Sequence, residues 1–205
     1  AILGAAASEL AHAVIPFMDP LVALDASYRP RIEILALKYF VVVAPLEELL
    51  KMGAFLAAFT NRKLFNEPID GLVYAAAAAL GFASLENATY LLERGTSLLL
   101  PRALLAVPMH LIASAMWGMG LASLRLVHGG WRGRFIALAS IVAAIGLHGG
   151  YDLIIHTQSP WWAGALLIVA VLILAWPFEV LRKRSPFRHS IIPPGDVEKL
   201  AACPS

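Results

Sequence analysis

Residues 32–60 read IEILALKYFVVVAPLEELLKMGAFLAAFT, and how this stretch is read decides the fold. It is long enough to cross a bilayer, which needs about 20 apolar residues. Yet its centre holds Glu47, Glu48 and Lys51. A charge at the middle of a spanning helix costs on the order of 2.5–3.5 kcal/mol by insertion scales. Such a cost is met where neighbouring helices or a water-filled cavity receive the charges. The cluster therefore marks a candidate functional site inside a helix bundle.

Composition extends the membrane reading to the whole chain. Hydrophobic residues make up 60% and charged residues 15%, against roughly 45–50% and 25% in soluble domains. The 205 residues allow one compact bundle and no second sizeable domain. The expected organisation is a single transmembrane domain over residues 1–184 and a cytoplasmic tail over 185–205, rich in Pro and Gly. A formal charge of +2 gives no reason to expect nucleic acid as a partner. One cysteine, Cys203, excludes an internal disulfide and argues against a thiolate metal site.

Apolar runs broken by Pro, Gly and charge give an all-α, polytopic membrane bundle of about six helices. They fall at residues 2–17, 32–60, 69–92, 98–127, 135–155 and 161–181. The first is short and interrupted by Glu9 and His12, so it is either a truncated span or an interfacial helix. Arg62 and Lys63 follow the second segment, Arg125, Arg132 and Arg134 the fourth, and Arg182, Lys183, Arg184 and Arg188 the sixth. The positive-inside rule puts these three regions in the cytoplasm, together with both termini of a multi-pass cell-membrane protein. Residues 156–160 lack Lys and Arg and lead into Trp161 and Trp162, an aromatic belt on the far side.

Four segments carry ionisable groups that do not belong in lipid. Lys51 lies four residues from Glu47 and three from Glu48, so both carboxylates can reach it. An internal ion pair is the bland reading, but two glutamates exceed what one lysine neutralises. Phe82 and Glu86 share a face of the third segment, with Asn87 and Tyr90 nearby; a lone glutamate there can also snorkel to the interface. On the fourth, His110 follows Pro108 and precedes Ser114, and taken alone it reads as a packing histidine. On the fifth, His148 and Asp152 are four apart, which lets the aspartate accept one imidazole proton and leave the other nitrogen free. Gly149 and Gly150 between them allow another helix to approach closely.

Depth groups these residues. At 1.5 Å rise per residue, Glu48 lies within roughly 3 Å of its segment's midpoint, His110 and His148 about 4 Å outward, and Glu86 and Asp152 about 10 Å outward. They form one layer between the midplane and the outer surface.

Glu47-Glu48-Leu49-Leu50-Lys51, Phe82-Ala83-Ser84-Leu85-Glu86 and His148-Gly149-Gly150-Tyr151-Asp152 together resemble the three motifs of the PrsW family of intramembrane proteases, in the expected order. His110 after Pro108 is similar to a further histidine of that family. The related CAAX-processing and bacteriocin-immunity proteases place an arginine one position beyond Lys51 and a histidine where Glu86 stands, so the chain fits PrsW better. The resemblance implies cleavage of a membrane-protein substrate, such as an anti-sigma factor, in or near the outer half of its spanning segment.

The chemistry so implied is a glutamate-activated water, since peptide hydrolysis needs a base and a donor for the oxyanion. Glu48 is the expected base with Glu47 as its partner, and Lys51 keeps the base ionised. His148, oriented by Asp152, polarises water or stabilises the oxyanion, and Glu86 and His110 complete the site. No cofactor is expected on this reading. Two alternatives stand beside it. One is a zinc protease with Glu86, His110, His148 and Asp152 as ligands, though no His-Glu-x-x-His pair is present. The other is a proton-coupled transporter or channel using the same groups as a relay.

Overall fold

Residues 32–59 form one continuous helix, α1, in the computed structural model, which describes residues 32–184 and Ala6. It starts as a regular helix (Ile32–Leu37), widens into a π-helical turn (Lys38–Val43) and becomes regular again (Ala44–Phe59) with Pro45 in its first turn. Proline lacks the N–H that would serve the carbonyl one turn back. A wider turn is one of the local adjustments that re-satisfies such groups in apolar surroundings. The same device recurs at Arg102–Ala106, directly ahead of the helical run Val107–Ala122 that carries Pro108 in its first turn. Both wide turns lie just before site residues.

The other long helices are α2 (Asp70–Arg94), α3 (Thr96–Val127), α4 (Gly130–Thr157) and α5 (Pro160–Lys183). The Asp70 carboxylate accepts the backbone N–H groups of Asn66 and Glu67 at 2.9 and 2.8 Å, which folds the preceding loop onto the start of α2. Gly95 ends that helix with φ +74°, a conformation that glycine enters without a Cβ penalty. Apart from Ala6, the segment expected at residues 2–17 lies outside the described residues, as does the tail at 185–205.

The all-α membrane bundle is therefore observed, with a smaller count than about six. Among the described residues there are five long helices, and α3, α4 and α5 are long and apolar enough to cross a membrane. Helices α1 and α2 match them in length but hold the ionisable residues, which lowers their hydropathy. Most of the outer surface of α5 is apolar, with Ile168, Leu172, Ile173 and Trp176 exposed. Such a face suits lipid.

Small residues set the spacing inside the bundle. Gly71 of α2 and Gly118 of α3 face each other so closely that a Cβ on either would run into the other's carbonyl oxygen. Ala75, Ala78, Ala113, Ala122 and Ala144 continue this lining, and close backbone approach is how membrane helices gain contact. At the end of the bundle where α1 finishes and α2 begins, Phe55, Phe59, Phe65 and Trp117 pack edge-to-face or tilted, 5.0–5.7 Å between rings. The Arg125 guanidinium closes this end, 4.9 Å from the Phe59 ring and 5.2 Å from the Phe65 ring. The opposite end is open.

Candidate active site

A cavity of about 530 Å³ enters the bundle from that open end, where α2 meets α3 and α4 meets α5. Glu47, Glu86, His110, His148 and Asp152 line its depth, and Arg94, Leu98, His156 and Pro160 line its outer part. Successive residues on α1 turn about 100°, so Glu47 and Glu48 point to different faces. That rotation separates their roles. Glu47 faces the cavity, while Glu48 turns inward and is fully buried.

Glu48 is saturated with donors. Lys51 Nζ and His148 Nδ1 each lie 2.7 Å from its Oε1, and the Trp117 indole N–H donates to Oε2 at 2.8 Å. Ser114 Oγ adds a fourth, at 3.4 Å. Lys51 contacts Glu48 and not both glutamates, and its ammonium sits 4.6 Å from the centre of the Phe82 ring. The phenylalanine of the second motif thus covers a buried cation.

The same ammonium fixes His110. An ammonium has no acceptor, so His110 Nδ1 accepts its proton at 2.8 Å and Nε2–H donates to Glu86 Oε2 at 2.8 Å. Arg102 also meets Glu86 Oε2, at 2.9 Å, while donating through Nε to Asn87 Oδ1 at 2.6 Å and lying 3.8 Å from the Tyr90 ring centre. Each carboxylate so far described has its cation: Lys51 for Glu48, and Arg102 for Glu86.

His148 is held the same way. Its Nδ1–H donates to Glu48, which turns Nε2 toward Glu47 Oε2 at 3.6 Å and Asp152 Oδ2 at 3.5 Å. Glu47 Oε2 is buried and has no hydrogen-bond partner among the described residues. Orientation of His148 through Nδ1 comes from Glu48, where the spacing had suggested Asp152. Gly149, next in the chain, brings the α4 backbone against the Phe40 ring of the first π-helical turn, at a distance a Cβ would make tight.

Every residue singled out in the three motifs therefore meets in one cluster. The family pattern described as PrsW family intramembrane metalloprotease matches residues 1–177 of this chain. The chain belongs to the PrsW family. Among similar proteins, the protease PrsW of Geobacillus kaustophilus is 32% identical over 161 residues, 78% of this chain and 70% of that protein. That of Bacillus subtilis is 36% identical over 116 residues, 57% of this chain and 53% of that protein. That of Clostridioides difficile is 30% identical over 155 residues, 74% and 64% of the two chains. The matches span from about half to seven-tenths of these relatives' length. No solved structure matches.

A PrsW family described as metalloproteases raises the question of whether this donor set suits a cation. Once Lys51 and Arg102 are paired, Glu47 and Asp152 remain without a cationic partner other than His148 among the described residues. With His148 neutral, three acceptor atoms then converge with no donor between them. Ligand atoms of Glu47, His110 and His148 also lie within 4.8 Å of one another. Zinc takes neutral imidazole nitrogen and carboxylate oxygen at about 2.0–2.2 Å, so acceptors some 3.5 Å apart suit it. Glu48 on the far nitrogen of His148 is the outer carboxylate such a histidine ordinarily has. The residues fit a divalent cation.

Two members of this PrsW site escaped the sequence reading. Arg102 carried a usable signal, being an arginine inside an expected span, where a buried partner must exist. Trp117 carried none, because a tryptophan in an apolar helix reads as packing. Asn87 and Tyr90, noted only as nearby polar groups, hold Arg102.

Proposed function

We propose that this chain is an intramembrane endopeptidase that hydrolyses a peptide bond of a membrane-protein substrate inside the cavity. One observation carries the reading: the buried, unpartnered Glu47 Oε2 stands 3.6 Å from His148 Nε2 on the wall of a cavity open at one end. Glu47 replaces Glu48 as the base, because Glu48 already accepts from four donors and does not line the cavity.

Water between Glu47 and His148 attacks the scissile carbonyl carbon while the Glu47 carboxylate takes its proton. In this reading His148 is protonated, its charge facing the Asp152 carboxylate, and it donates Nε2–H to the oxyanion that forms. Glu47 then returns the proton to the leaving nitrogen as the C–N bond breaks. Glu86 and Arg102 hold His110 beside this centre, and Asp152 forms the opposite wall. A relay through the membrane has less support, since fully buried Phe55, Phe65 and Trp117 fill the layer beneath the site.

A second reading rests on the uncompensated charges of Glu47 and Asp152. Glu47 and His148 would hold a divalent cation such as Zn²⁺, which His110 would join only by giving up its bond to Lys51 or Glu86, and the cation would polarise the carbonyl and lower the pKa of water. The base role then falls to Asp152, 3.5 Å from His148 Nε2.

The deciding experiment uses the chain in lipid nanodiscs with a single-span test substrate, followed by fragment analysis and elemental analysis. Cleavage by the wild type that falls at least about 10²-fold in Glu47→Gln supports the endopeptidase. Cleavage unchanged in Glu47→Gln overturns Glu47 as base, and no cleavage under any condition overturns the function. One divalent cation per chain, lost on chelation together with activity, selects the second reading; activity that survives a strong chelator selects the first.

A further inference from the structure

The cavity is longer than the chemistry needs, and its two walls are graded. On α2 the lining residues Glu86, Tyr90 and Arg94 follow at intervals of four, and on α4 His148, Asp152 and His156 do the same. Four-residue spacing stacks side chains on one helix face. Each wall therefore runs from the site to the mouth as a single file. The acids Glu47, Glu86 and Asp152 lie at the inner end, whereas Arg94 lies exposed at the rim. Its guanidinium pairs with no described residue, in contrast to Arg102, which is committed to Glu86. His156 beside the mouth is engaged through Nδ1 with the Asp152 carbonyl oxygen at 2.9 Å and packs against Tyr39.

A basic residue in the last turn of a helix also complements the helix dipole, which is reason enough for an arginine there. That role does not call for a place on the cavity wall, eight residues from Glu86 and in file with it. Eight residues of helix cover about 12 Å. A scissile peptide must leave helical hydrogen bonding for water to reach its carbonyl, and extended chain covers about 3.3 Å per residue. The distance from site to rim thus equals about three or four substrate residues.

We propose that Arg94 reads an acidic side chain of the substrate, about three or four residues from the scissile bond on the mouth side. The substrate class is a single-span protein with Asp or Glu at that place in its juxtamembrane flank. The inference rests on the endopeptidase reading and narrows it. An ion pair at an exposed rim changes kcat/KM by about two- to fivefold, and salt screens it.

The test is a glutamate scan. Substrates with serine along the mouth-side flank receive one Glu at each of the first eight positions from the cut, and kcat/KM is normalised to the all-serine substrate. A peak at the third or fourth position is expected for the wild type, lost at high salt. Arg94→Glu should turn that peak into a dip, and a lysine scan should peak there instead. A flat scan, or a peak that survives Arg94→Glu, overturns the proposal while leaving the endopeptidase intact. Crosslinking of the same substrates to the Glu47→Gln chain in nanodiscs measures selection without cleavage. Selective capture by the variant, together with no cleavage by the wild type under any condition, would sink the endopeptidase and keep the Arg94 preference; capture without selection sinks the preference.

Discussion

Glu48 and His148 stand 100 residues apart in the chain, and the imidazole Nδ1–H of one meets the carboxylate of the other at 2.7 Å. This bond turns Nε2 of His148 toward Glu47 and Asp152. It thereby divides two adjacent glutamates into one that orients and one that faces the cavity. Helix geometry makes the division possible, since residues one apart cannot share a face.

Substitutions should separate the two. Glu48→Gln removes a fully buried carboxylate and leaves the Lys51 ammonium without its counter-charge, a change costing roughly 3–5 kcal/mol. A large drop in melting temperature in detergent is expected, with activity lost along with the fold. Glu47→Gln breaks no hydrogen bond to Oε2, so melting should stay within error of the wild type while cleavage collapses. Equal destabilisation by both would refute the division.

Helix packing gives an independent check through three glycines. Gly71→Ala and Gly118→Ala each push a Cβ into the backbone of the opposing helix, where no flexible side chain can give way. Overpacking of this kind costs on the order of 1–3 kcal/mol. Gly53 on α1 has nothing within 4 Å of a Cβ position, so Gly53→Ala should be neutral or stabilise by up to about 1 kcal/mol through helix propensity. Denaturant titration of the three variants measures the order directly. Loss of stability in Gly53→Ala comparable to the other two would show that the α2–α3 approach is not what makes Gly71 and Gly118 sensitive.

Much of this was readable from the chain, for physical reasons. Charges inside apolar runs cannot be lipid-facing, so Glu47, Glu48, Lys51, Glu86, His148 and Asp152 had to converge, and they do. Helix boundaries followed from Pro, Gly and charge, with 69–92 expected and Asp70–Arg94 observed. What spacing could not supply was the choice among partners. Lys51 lies within reach of both glutamates, and only the positions of α3 and α4 decide that Glu48 takes it. His148 is four residues from Asp152, yet a residue on another helix holds its Nδ1. Local spacing lists the candidates; packing between helices picks one.

The open end of the cavity also fixes where the cut should fall. Arg62, Lys63, Arg125, Arg132 and Arg134 gather at the end sealed by Phe59 and Phe65, opposite the mouth at Leu98 and Pro160. Positive-inside counting then puts the sealed end in the cytoplasm and the mouth outside. In a Cys203→Ser background, Ser97→Cys and Ser159→Cys should react with a membrane-impermeant maleimide in intact cells. Lys63→Cys and Arg132→Cys should react only after permeabilisation. Mass spectrometry of the released fragments should place the scissile bond in the outer half of the substrate's span or just beyond it, because hydrolysis consumes water and water enters by the mouth. Labelling in the reverse pattern inverts the orientation and moves the expected cut to the cytoplasmic half. A correct labelling pattern with a cytoplasmic cut would instead mean that the chemistry lies elsewhere than at Glu47 and His148.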